Sequence, residues 1–161
     1  MKNITLFIGA LLVSVLFTAC PYESIVAIDT PSAPINQKLI GNWKPQESNE
    51  VYKISKHNDF TYAIDLEKDN AKTEHFFAHI SIVNGVNFLN LNEIKPDSKE
   101  KKYILYKVEL TDDNTLKVSP LTENIREKFA SSEELKKFIS ENMKNSYFFE
   151  KDGLLTRVVK K

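Results

Sequence analysis

Apolar and polar residues alternate along most of the chain beyond residue 50. In DFTYAIDLE (59–67), Phe60, Tyr62, Ile64 and Leu66 fall on one face, and Thr61, Ala63, Asp65 and Glu67 on the other. This period of two marks a half-buried strand. KYILYKVEL (102–110) repeats the pattern with Ile104, Tyr106, Val108 and Leu110. KTEHFFAHISIV (72–83) predicts a long strand carrying Phe76, Ala78, Ile80 and Ile82 on one side. Tyr52 and Ile54 mark a strand near 50–56, and Leu116 and Val118 one near 115–120.

The turns are explicit. Asn84-Gly85 joins 72–83 to a strand at 86–92, and Asp152-Gly153 is placed to join SYFFEK to LLTRVV as a final hairpin. His57-Asn58, Asp69-Asn70, Pro96-Asp97 and Asp113-Asn114 fill other gaps. Successive strands joined by short turns predict an antiparallel meander. Only SSEELKKFISENMK (131–144) switches clearly to helical spacing, with Leu135, Phe138, Ile139 and Met143 on one stripe. Ser131 and Glu134 suit a capping box, and Glu133 suits the positive helix end. A shorter helical turn is expected near 122–129. The apolar stripe of 131–144 is expected to close one end of the sheet structure.

The first twenty residues follow another rule. Lys2 precedes an apolar run from Ile4 to Phe17, of secretory length and short for a membrane span. Thr18 and Ala19 then lead into Cys20, the single cysteine. The pattern resembles a bacterial lipoprotein signal peptide, with Phe17 where that family usually has Leu, and Leu16 one place further out. The resemblance implies cleavage after residue 19 and acylation of Cys20. Two or three acyl chains would anchor the product stably to a membrane. A free cysteine exported without a disulfide partner would otherwise be unusual. The absence of Asp after Cys20 implies, by the same resemblance, the outer membrane in a host with two membranes. Residues 20–36, with Pro21, Pro31 and Pro34, are expected to form an extended tether. The alternative is that Ile25, Val26 and Ile28 pack onto the domain. Residues 37–161 are expected to be one β domain.

Leu39-Ile40-Gly41-Asn42-Trp43 opens the first strand of that domain. This Gly-x-Trp, placed before about eight short strands, resembles the start of lipocalin-like, or calycin, barrels. The resemblance implies that Trp43 closes the barrel floor and that an arginine from a late strand lies across it. Arg157 is the matching position. The helix departs from the lipocalin pattern, because it precedes the last hairpin and does not follow the eighth strand. The expected fold is therefore mainly β: an antiparallel meander closing into a lipocalin-like barrel, with one amphipathic helix near 131–144.

Composition narrows the chemistry. The chain carries 22 basic and 22 acidic residues, and loss of Lys2 with the signal leaves a net charge of −1. No basic stripe suggests a nucleic-acid partner. His75 and His79 lie four apart, which suits a shared zinc ion on a helix but spans roughly 13 Å on a strand. The alternation through Phe76, Ala78 and Ile80 predicts strand, so no metal or cofactor is expected. No nucleophile has a recognisable setting, so an enzyme is not expected. Two readings stay open. In one, the barrel binds a small apolar or amphipathic ligand, with Tyr52, Phe60, Tyr62, Phe76, Phe88 and Tyr106 lining its cavity. In the other, those aromatics fill the interior, and the domain is an interaction, inhibitor or accessory module in the cell envelope.

Overall fold

A computed structural model describes residues 21–68, 71–95 and 101–158. The first eight-strand run is β2 (Gly41–Pro45), β3 (Val51–Lys56), β4 (Tyr62–Glu67), β5 (Glu74–Val83), β6 (Val86–Glu93), β7 (Tyr103–Asp112), β8 (Thr115–Pro120) and β9 (Gly153–Arg157). Each strand pairs antiparallel with its predecessor, and β9 pairs with both β8 and β2. An even number of up-and-down strands closes without a mismatch, so the meander becomes a lipocalin-like barrel. Closure also leaves no strand with a whole edge unpaired, the edges on which strands aggregate. A further two-residue strand, β1 (Glu23–Ser24), pairs with Tyr103 and Ile104 of β7, just beyond the last pairing of β7 with β8.

Alternation sorts the apolar residues into two cores. Tyr62, Ile64 and Leu66 of β4, Phe76, Ala78 and Ile80 of β5, and Val108 of β7 pack inside the barrel. Val83, Phe88 and Leu105 sit on the outer face of β5, β6 and β7. There they meet Leu135 and Ile139 of α1 (Ser132–Asn142). The Ser131 side chain caps this helix by accepting the Glu134 N–H, and Glu134 Oε2 accepts the Ala130 N–H.

The helix thus covers the barrel wall and closes neither end. The expected helical turn at 122–129 is absent, and the chain there is turn and irregular structure. The final hairpin is also absent. Residues 146–151 form no strand and make one isolated bridge, Leu121 to Phe149. The reason is closure: β9 uses both edges on β8 and β2, leaving no edge for SYFFEK, whose Phe148 is buried in the outer core.

The tether expectation is corrected as well. Residues 21–36 run along the barrel as a strap, from Tyr22, whose N–H bonds to Leu121 O, to Ile35, whose N–H bonds to Asp59 O. Ile28 is fully buried in the outer core, while Ile25 remains exposed. Burying one such side chain is worth about 1.5–3 kcal/mol, and burial of Tyr22 and Ser24 adds to it. The Ile28 N–H donates to Asn90 Oδ1 at 2.8 Å, and Asn90 Nδ2 donates to Ser81 Oγ at 2.8 Å. Asp29 receives bonds from Ser81 and from Lys136 Nζ, the latter at 3.0 Å. Cys20, Asp69-Asn70 and Pro96-Asp97 lie outside the described residues.

Candidate functional site in the barrel interior

The barrel has a floor at the Gly41 end. Trp43 is fully buried, and its Nε1–H donates to Leu39 O at 2.8 Å. The Arg157 guanidinium lies over its ring, 4.3 Å from the centroid. That guanidinium also donates to Ile40 O at 2.9 Å, Lys38 O at 2.5 Å and Asp113 O at 3.0 Å. One planar fork therefore joins the floor ring, the turn before β2 and the β7–β8 hairpin. Gly41 makes room for it. Its φ is +140°, and a Cβ there would lie 2.5 Å from Arg157 Nη1.

Above the floor is an apolar cavity of about 110 Å³. Tyr52, Tyr62, Phe76 and Tyr106 line it, with Leu39, Leu89 and Leu116. It is smaller than the few hundred Å³ of a drug-sized site. It is comparable with the roughly 150 Å³ engineered cavity that stays dry and takes up benzene. Such a space suits a ring or a short length of hydrocarbon chain.

The three tyrosines are the polar handles. The Tyr62 hydroxyl accepts the Asn36 N–H at 2.6 Å, which ties the strap to the barrel interior. Burial pushes the Tyr52 phenol far up, helped by the Glu50 carboxylate, and pushes Tyr106 and Tyr62 up as well. All three therefore present neutral hydroxyls. Among the described residues, no protein group hydrogen-bonds to the Tyr52 or Tyr106 hydroxyl, and neither hydroxyl is a sealed-off, unpartnered group.

Two expected lining residues lie elsewhere. Phe60 is in the bend before β4 and is 42% exposed, because His57 and Asn58 N–H groups bond to Thr61 O and delay the strand. Phe88 is buried on the outside of the barrel. The two-residue Asn84-Gly85 turn sets Ser81 opposite Phe88 and Ile82 opposite Asn87, which puts Phe88 on the outer face. That register was readable from the turn, as was the inward placing of Leu89. The strap contributions, and the Asp29, Ser81 and Asn90 bonds beneath it, carried no comparable signal.

The histidines also sit outside the barrel. His75 is exposed and bonds to Asp65 at 2.7 Å. His79 is buried under the strap, with Nε2 2.9 Å from Asp29 O, and burial lowers its pKa. Among the described residues, no three His, Cys, Asp or Glu side chains gather as metal ligands. Comparison with family models, curated proteins and solved structures finds no match to this chain.

Proposed function

We propose that the chain is an exported, lipid-anchored cell-envelope protein, held at the outer membrane in a host with two membranes. Its barrel takes up a small apolar or amphipathic molecule without catalysing a reaction. The observation that carries this reading is the apolar cavity of about 110 Å³ with two unengaged tyrosine hydroxyls in its lining. A barrel packed only for stability would fill such a space with side chains. The membrane part rests on Cys20 and the segment before it. Because the strap is already bonded to the barrel at Tyr22, two positions after Cys20, an acyl group on Cys20 would hold the barrel close to the bilayer.

Native mass spectrometry of residues 21–161, compared with the denatured mass, tests the binding reading. Extra mass released on denaturation supports it and identifies the ligand class on extraction. No extra mass, together with a melting temperature unmoved by a lipid and metabolite panel, would turn the assignment to a protein-binding module. Mass spectrometry of membrane-extracted full-length product tests the anchor. An unmodified Cys20 thiol would refute it.

A further inference from the structure

The barrel wall is open between β6 and β7 at the Gly41 end. Pairing of these strands stops at Phe88 with Lys107. Beyond it, Val86 and Asn87 pair only with β5, and Val108 to Leu110 pair only with β8. Two strand edges therefore face each other without a ladder. The same tip is engaged outside the barrel. Val83 and Phe88 are drawn into the outer core beside Leu135 and Ile139. Asn84 Nδ2 donates to Ser140 Oγ of α1 at 2.9 Å. The helix thereby holds the β5–β6 tip.

The gap is a cleft of about 690 Å³, within the range of small-molecule sites. Ile80, Leu110 and Leu116 give it an apolar bed, and Ala33 and Pro34 of the strap border it. Ile82, on the inward-facing side of β5, is 51% exposed there. Leu39, Val108 and Leu116 line both this cleft and the interior cavity, so the two apolar spaces adjoin.

We infer that this slot is the way into the barrel and the seat of the ligand's polar end. The inference rests on the ligand-binding reading above. The ligand class it points to is a single-chain amphiphile with an uncharged, hydrogen-bonding head. The chain tip occupies the interior cavity, and the rest of the chain lies on the apolar bed. Asn36, Asn87 and the unpaired backbone groups of 108–110 meet the head. Charge argues against an anionic head. The cationic side chain at the slot is Lys107, whose ammonium lies over the Phe149 ring at 4.6 Å, while Glu109 adds a negative charge.

The test is calorimetric titration of residues 21–161, which contain every described element, with monolaurin below its micelle concentration. Laurate provides the anionic comparison. Asn87→Trp and, separately, Ile82→Trp narrow the slot at exposed positions that tolerate the change. Ile94→Trp places the same bulk on an exposed site at the opposite end of β6. The expected result is a tenfold or greater loss of monolaurin affinity in both slot variants with unchanged melting temperature. Ile94→Trp stays within twofold, and laurate binds at least tenfold more weakly than monolaurin. If the unaltered chain binds but both slot variants bind equally well, or Ile94→Trp alone blocks, the slot is refuted while the binding reading stands. Equal affinity for laurate refutes the uncharged head. No binding of either probe by the unaltered chain overturns the slot and its amphiphile, while the native mass measurement above decides the binding reading separately.

Discussion

Replacing Arg157 by alanine should loosen the barrel floor without touching the interior cavity. The side chain makes three charge-assisted hydrogen bonds to carbonyls and one cation–π contact with Trp43. It is only partly buried, so water can reach some of the released carbonyls. About 0.5–1 kcal/mol per bond is then a reasonable net loss, and the stack adds about 0.5–1 kcal/mol. The total is about 2–4 kcal/mol, which at a urea slope of about 2 kcal/mol/M lowers the unfolding midpoint by roughly 1–2 M. Trp43 is the single tryptophan and is fully buried, so its fluorescence reports the transition directly. Arg157→Lys should recover only part of the loss, because an ammonium neither stacks as a plane nor spans three carbonyls. Gly41 adds a coupling test. Gly41→Ala in the unaltered chain suffers backbone strain of about 1–3 kcal/mol and a clash with Nη1. In the Arg157→Ala background only the strain remains, so the second substitution should cost less there. A midpoint unchanged by Arg157→Ala, or full stability in Arg157→Lys, would refute the account of the floor.

Three further outcomes are expected. Ile28→Ala should destabilise the whole domain by about 2–4 kcal/mol in urea unfolding, because this strap residue is fully buried; a loss confined to faster hydrogen exchange at residues 21–36 would show that the strap is only an appendage. Burial raises the folded pKa of Tyr22, Tyr52, Tyr62 and Tyr106 above 10.0, so unfolded chains release these protons first; stability should hold up to about pH 10 and decline above it, and phenolate absorbance from all six tyrosines appearing near pH 10 without unfolding would refute this. The lowered pKa of buried His79 acts on the acid side, since the unfolded chain takes up its proton first; stability present above pH 6.5 should fall as pH drops through the folded value, and His79→Gln should remove that slope in urea midpoints.

The strands and their turns were legible because both are local. A period of two and turn residues such as Asn84-Gly85 act within a few positions, and they placed β3, β5, β6, β7 and β8 within two residues or so. The Gly-x-Trp resemblance pointed to the floor because a three-residue spacing and one late arginine carry it. Phe60 failed for a local reason, since side-chain and backbone bonds around Asn58 prolong the bend. Phe88 faces outward because the two-residue turn sets it opposite Ser81, a register that its aromatic character does not reveal.

By itself the sequence determined that the chain forms short antiparallel strands with an apolar face and one capped amphipathic helix. Each of these follows from side-chain period or from a short motif. Tertiary structure alone decided what covers the second apolar face. Leu105 and Phe88 point outward on their strands, yet alternation does not say whether water, α1 or residues 21–36 will meet them. Closure decided the rest. Once β9 had joined β2 to β8, it had no edge left for the segment at 146–151. At the β5–β6 tip, which bonds to α1, β6 parts from β7 and leaves an opening that no local pattern encodes.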